Sequence, residues 1–295
     1  MIISVAAPLP PSIEDQLRRI LPELPPTTRR LAAHILAQYP VAALGSINAL
    51  ARAAEVSSPS VVRLVQRLGF KGYPDFQVAL RAEVEGMLAS PISKYDKWAG
   101  EAPQGHILTR FADQVVANLQ ATLGGIRPED FDAVAALLAD PSRRIYALGG
   151  RVTQSLAEYF VTLMKVVRPE VQLLSGMPAT WPPALLDMKP GDVLLIIDIR
   201  RYENTVLQVA ELAAEQGAEV VLITDRWLSP AAKTARHTLS CHIEAPSAWD
   251  STVPVLVLIE TLLAAVQPLR WKATEHRLTR MEALFERAQF FRRGK

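Results

Sequence analysis

The chain has 295 residues, 49% hydrophobic and 21% charged, a composition that excludes a disordered or fibrous protein and leaves room for about two domains of ~100–200 residues each. With 32 Lys+Arg against 30 Asp+Glu, the net charge of +2 excludes a surface that is basic all round, so any contact with nucleic acid must come from a local cluster. The single cysteine, Cys241, excludes an intrachain disulfide and Cys-based zinc or iron–sulfur sites, and fits a reducing cytoplasm.

Met1 to Pro11 holds a short apolar run with no Lys or Arg before it and two prolines after it, unlike a signal peptide. A short helix is expected from Ser12 to Ile20, broken by Pro22-Glu23-Leu24-Pro25-Pro26. Apolar residues then recur at helical spacing: Leu31 and Ile35; Ile47, Leu50 and Ala54; Val61, Leu64, Val65 and Leu68. Ser46 stands where an N-cap belongs and Gly69 where a C-terminal cap belongs. With Ala51 as the small residue at a close crossing, Leu50, Ala54, Val56, Val61 and Leu64 fill the buried positions of a helix-turn-helix. Its turn falls at Glu55 to Ser57, and its second helix runs from Ser58 to Leu68.

That second helix opens Ser57-Ser58-Pro59-Ser60, serines suited to cap its N–H groups and a proline tolerated in a first turn. Ser58, Ser60, Arg63, Gln66 and Arg67 are expected to face solvent, with Lys71 just beyond. Together with Ser57, these residue types bond phosphates and base edges in a major groove. Residues 27 to 81 carry seven basic against two acidic side chains, a net +5 that leaves −3 for the rest. Glu55 occupies a turn position that favours Gly.

Ala89 to Gly105, with Pro91, Gly100, Pro103 and Gly105, reads as a linker, giving a helical domain over 1–88, a linker over 89–105 and a second domain over 106–295. Helices are expected at His106 to Leu123 and Pro128 to Ala139. Short apolar runs then alternate with helices: Arg144 to Leu148 and Val152 to Val167; Val193 to Ile197 and Asn204 to Gln216; Glu219 to Thr224 and Ser229 to Ala235; Thr238 to Ile243 and Thr252 to Val266. Val171 to Leu174 adds a fifth strand, and Trp271 to Phe291 is a basic amphipathic helix. The pattern implies a parallel sheet covered on both faces.

In such sheets ligands bind beyond the C-terminal ends of the strands. Two loops lie there. Gly149-Gly150-Arg151-Val152-Thr153 offers two glycines for close backbone approach and donors from Arg151 and Thr153. Asp198-Ile199-Arg200-Arg201-Tyr202-Glu203 places adjacent arginines where a phosphate or carboxylate would be gripped, unless one of them pairs with Asp198 or Glu203. Asp250 and Ser251, opening the last helix of the sheet domain, face the same crevice.

Ser46-Ile47-Asn48-Ala49-Leu50-Ala51, Val61-Val62-Arg63 and Arg67-Leu68-Gly69-Phe70-Lys71-Gly72-Tyr73-Pro74-Asp75-Phe76 closely resemble the N-terminal domain of the MurR/RpiR transcriptional regulators, whose pattern has Gly where this chain has Glu55. The element order over roughly 106–267 resembles the sugar isomerase (SIS) domain that follows in that family. The resemblance implies a hydroxyl-rich Ser-x-Ser-Gly-x-Thr loop holding a sugar phosphate; here those positions are Asp198, Arg200, Arg201 and Glu203. The expected fold is α/β, an all-α helix-turn-helix domain before a SIS-like doubly wound parallel sheet. The expected function is a cytoplasmic regulator that binds double-stranded operator DNA and a small anionic effector (sugar phosphate, sugar acid or other carboxylate). It would act as a homodimer or homotetramer, with no cofactor, no metal and no membrane contact. The alternative is a SIS-type phosphosugar isomerase with Glu203, Glu244, His237 or His242 as its base. No Gly-x-Ser-x-Gly elbow, P-loop or Gly-x-Gly-x-x-Gly is present.

Overall fold

The structure, a computed structural model, describes residues 12–88, 90–100 and 105–290. The expectations for Met1 to Pro11, for 89 and 101–104 of the linker segment and for Phe291 lie outside the described residues. The chain forms two compact units, a helical one that ends at Gly105 and a sheet one that comprises His106–Ala245 and the residues from Asp250 onward.

The first unit is helical: α1 (Ile13–Ile20), α2 (Pro26–Ala37), α3 (Ile47–Ala53), α4 (Ser58–Arg67), α5 (Tyr73–Leu88) and α6 (Pro91–Gly100). Ser12 Oγ accepts the Asp15 N–H at 3.0 Å, and acidic residues open α1 while Arg18 and Arg19 close it, as the helix dipole favours. Ser46 Oγ accepts the Ala49 N–H at 3.2 Å at the start of α3. After α4, Gly69 takes a φ of 92°, a left-handed stop that L side chains resist. Leu17, Leu31, Ile35, Leu50, Val61, Leu64, Phe76 and Leu80 form one buried core, each side chain contributing roughly 1.5–3 kcal/mol by leaving water. The segment expected as linker carries α6, whose first turn is capped by Ser90 Oγ accepting the Ser93 N–H at 3.1 Å.

The second unit holds α7 (Ile107–Gly125), α8 (Pro128–Ala139), β1 (Ile145–Gly149), α9 (Gln154–Val167), β2 (Val171–Leu173), α10 (Pro182–Asp187), β3 (Val193–Asp198), α11 (Asn204–Glu215), β4 (Glu219–Asp225), β5 (His237–Cys241), α12 (Val253–Leu269) and α13 (Trp271–Ala288). All five strands are parallel, in the order β2-β1-β3-β4-β5. Every residue of β1 and β3 is buried, which is why these strands are unbroken apolar runs instead of alternating ones. One face packs on α10 and α11 through Leu148, Leu194, Ile196, Val206 and Val209; α9 packs on β1 and β3, with α8 and α12 beside it. The helix expected at Ser229 to Ala235 is only a 3-10 turn, Pro230–Lys233, started by Ser229 Oγ accepting the Ala231 N–H.

Strand order fixes where a ligand would lie. From β1 the chain crosses to β2 on one side and then returns to β3 on the other, so the loops after β1 and β3 flank the point where the order reverses. Among the described residues no single helix is long and apolar enough to cross a bilayer.

Candidate functional site

In the helical unit α3 and α4 meet through a tight turn. Glu55 has a φ of 52°, and the Val56 N–H returns to the Ala51 carbonyl at 2.9 Å. The Arg30 guanidinium bonds the Glu55 carbonyl oxygen and lies 3.8 Å from its carboxylate, tying α2 to the turn. Leu50, Ala51, Ala54, Val61 and Leu64 are buried as the spacing requires, and Val56 packs partly against them.

Arg63, Gln66, Arg67 and Lys71 are exposed, the first three on one side of α4. Ser60 corrects the sequence reading: expected on that face, it is 3% exposed and belongs to the inner stripe with Val61, Leu64 and Val65. Its Oγ bonds Ser57 Oγ and accepts from Arg63 Nη2, each at 2.9 Å, so it braces the arginine from beneath. Ser57 holds the N-cap position without a side-chain capping bond, again unlike the expectation. Ser58 Oγ donates to Asn48 Oδ1 at 2.9 Å and joins the two helices. Nothing in the local sequence of Asn48 announces a partner ten residues on. Arg67 lies 3.6 Å from Glu23, and the Lys71 N–H donates to Asp75 Oδ2 at 3.0 Å.

In the sheet unit Gly149 has no alternative. A Cβ there would lie 2.3 Å from the Thr153 carbonyl carbon and 2.4 Å from the Gln154 nitrogen, so any side chain would push the α9 entry away. Gln154 locks the same turn, accepting the Gly149 N–H at 2.9 Å and donating to the Leu174 carbonyl at 2.7 Å. Gly150 is buried between Thr153, Asp198 and Glu203. Thr153 is buried and donates to the Ile197 carbonyl at 2.5 Å, so its hydroxyl stitches β3 to the β1 loop instead of facing solvent.

The loop after β3 is clamped from behind. Arg200 makes a bidentate pair with Asp250, at 2.6 Å and 3.2 Å, and its guanidinium stacks 3.8 Å from the centre of the Trp227 ring. Its side chain is 4% exposed. The partner is neither Asp198 nor Glu203, the two carboxylates nearest in sequence. Asp225, fully buried, accepts the Arg200 N–H at 2.6 Å, the Tyr202 hydroxyl at 2.6 Å and the Trp227 N–H at 3.0 Å. Ser251 is buried, its N–H donating to the Ile243 carbonyl at 2.7 Å. Of the expected crevice residues, only Arg151 and Arg201 are exposed; Gly149 and Gly150 shape its floor, and Thr153, Asp198, Arg200, Asp250 and Ser251 are buried or held in internal contacts.

Burial sets the charge of this network. It pushes the Asp198 carboxyl up to about 7, against the pull of the Ser229 hydroxyl that donates to it, with Asp225 and Glu203 adding in the same direction. Burial also pushes Asp225 up to about 6, its three hydrogen bonds opposing. Of the four candidate bases, His242 is driven down to about 4 by burial and by the Arg226 charge, so it is neutral at pH 7. Glu203 spends its Oε1 on the Arg151 N–H at 2.7 Å. Cys241 is buried, which drives its thiol upward and leaves it inert. Among the described residues no three His, Cys, Asp or Glu side chains are grouped to hold a metal ion.

Residues 12–86 match the model of the helix-turn-helix domain of the rpiR family, and residues 137–265 match the SIS domain. The chain belongs to the RpiR family. It is 28% identical to the HTH-type transcriptional regulator HexR of Pseudomonas aeruginosa over 248 residues, 82% of either chain. Over 222 residues it is 24% identical to the HTH-type transcriptional regulator GlvR of Bacillus subtilis, 75% of this chain and 76% of that one. The fold is shared with Vibrio vulnificus NanR, complexed with ManNAc-6P, at a TM-score of 0.54 and 18% identity over 93% of this chain and 98% of that one. This RpiR-family chain thus has the helix-turn-helix and SIS-like sheet expected of it, with arginines and carboxylates in the crevice loops.

Proposed function

We propose that the chain is a cytoplasmic transcriptional regulator: a DNA reader over 1–88, a connecting segment over 89–105, and a sheet domain over 106–295 that senses a small anionic sugar derivative. The observation that carries the reading is α4. Its inner face is apolar with Ser60 as a brace, and its outer face presents Arg63 and Gln66, with Arg67 and Lys71 at its far end. Arg63 and Gln66 are suited to base edges, while Ser57, Ser58, Arg67 and Lys71 suit phosphates. HexR and GlvR carry regulator names, and NanR was seen with ManNAc-6P; both facts support the reading.

In the sheet domain Gly149 and Gly150 let the α9 entry and the loop after β3 close against the β1 turn, and Arg151 and Arg201 supply the cations. Thr153, Asp198, Arg200, Asp250 and Ser251 hold the loops in place. Two chains reading half-sites ~34 Å apart gain specificity that one helix-turn-helix lacks, so the working unit is a homodimer or homotetramer. Exposed Tyr159 and Leu163 on α9, with Leu269 and Trp271 where α12 gives way to α13, support a subunit contact there. Effector binding shifts the population between oligomer arrangements that differ in operator affinity. Gel-shift on the DNA upstream of the chain's own gene, set beside an isomerase assay on phosphosugars, tests this reading. Specific retardation without turnover is expected; turnover without DNA binding would establish the isomerase instead.

A further inference from the structure

Glu203 stands at the N-cap position of α11 yet makes no capping bond there. Its carboxylate reaches across to the loop after β1, where Oε1 takes the Arg151 N–H at 2.7 Å. The same oxygen lies 3.6 Å from the place a Gly150 Cβ would occupy, and Asp198 Oδ1 lies 3.4 Å from that place. The turn after the strand beside the switch point is where a parallel sheet offers backbone N–H groups to an anion. In this chain a carboxylate from the neighbouring loop already sits on one of those groups, with a second carboxyl beside it.

We infer that Glu203 is the specificity-determining residue of the crevice: it serves as the chain's own anion in the β1 turn, excludes phosphomonoesters, and leaves Arg151 and Arg201 to take the carboxylate of a sugar acid. This inference rests on the reading of the crevice as the effector site. A phosphate dianion entering the turn must displace Glu203 from the Arg151 N–H and then stand against both carboxyl groups. A sugar acid needs no backbone N–H at that point. Its carboxylate matches the planar fork of an exposed guanidinium, and its hydroxyls donate to Glu203, which accepts and does not compete. Asp198, buried and with its carboxyl pushed up to about 7, carries only part of a charge at neutral pH and adds an acceptor at less electrostatic cost than Glu203.

Thr at position 203 removes the charge and is itself a favoured N-cap for α11, so Glu203→Thr is expected to fold. The test is calorimetric titration of the full-length wild type and of E203T with inorganic phosphate, glucose 6-phosphate and gluconate. Wild type is expected to favour gluconate over glucose 6-phosphate. E203T is expected to bind phosphate and glucose 6-phosphate at least ~10-fold more tightly than wild type does, a difference of about 1.4 kcal/mol. Glu203→Gln, which keeps an acceptor for the Arg151 N–H, should move the same way by less. Wild type preferring glucose 6-phosphate to gluconate, or no gain of phosphate affinity in either variant, would overturn the inference. Gel-shift on the same preparations separates the two failures, because lost specific DNA binding by wild type counts against the regulator reading and unchanged phosphate affinity counts against Glu203.

Discussion

Replacing Asp198 with Asn isolates the charge buried at the end of β3. The wild-type carboxyl keeps its proton up to about pH 7 in the fold, against an ordinary value of 3.8. Between those two values the folded chain binds a proton that the unfolded chain has lost. Stability from this group is therefore complete below about pH 4 and falls by about 1.36 kcal/mol for each pH unit up to about 7, ~4 kcal/mol across the window as an upper bound. Asn keeps an oxygen to accept from the Ser229 hydroxyl and cannot ionise, so D198N should lose this slope and gain over wild type as pH rises. Urea unfolding at pH 5, 6, 7 and 8, followed by the fluorescence of buried Trp227, measures it. The expected difference between variant and wild type grows by roughly 2–3 kcal/mol from pH 5 to 7 and levels off above that, since the slope from Asp225 is common to both proteins. Parallel curves for the two proteins would instead show that Asp198 carries its charge throughout this range.

Arg63→Ala should cost ~1–3 kcal/mol in operator affinity and relax sequence preference, measured by competition with single-base operator variants. Glu55→Gly should stabilise the helical unit by up to ~1 kcal/mol, read as a higher urea midpoint, since Glu55 sits at a φ of 52° and its pair with Arg30 is exposed. The two adjacent arginines should separate: Arg200→Ala removes the bidentate partner of Asp250 and costs about 3–5 kcal/mol in chemical denaturation, whereas Arg201→Ala changes stability by less than ~0.5 kcal/mol and weakens the effector response.

Local features were the most legible. Ser46, Pro59 and Gly69 bracket the helices at the positions where free N–H groups, a missing N–H and a left-handed stop belong, so α3 and α4 follow from their own residues. The buried strands announce themselves as apolar runs such as Val193–Asp198. The polarity of Ser60 suggests exposure, but its spacing of one and four residues from Val61 and Leu64 places it on the inner stripe. Pro91 and Gly100 looked like linker punctuation, yet a proline is at home in a first turn after a capping Ser90. The clamp on Arg200 was invisible because its partners, Trp227 and Asp250, come from loops after other strands and become neighbours only through strand order. For the same reason Arg200, read as a ligand-gripping cation, is a buried brace, and Glu203, weighed as a catalytic base, holds a backbone N–H.

On this reading the helical unit recognises a DNA sequence as part of an oligomer. Fluorescence anisotropy of a labelled duplex from upstream of the chain's own gene, competed with a scrambled duplex at physiological salt, tests it most directly. Preference for the native duplex by ~10³-fold or more is expected, with at least two chains bound per duplex. Equal affinity for both duplexes, or one chain per duplex, would contradict it.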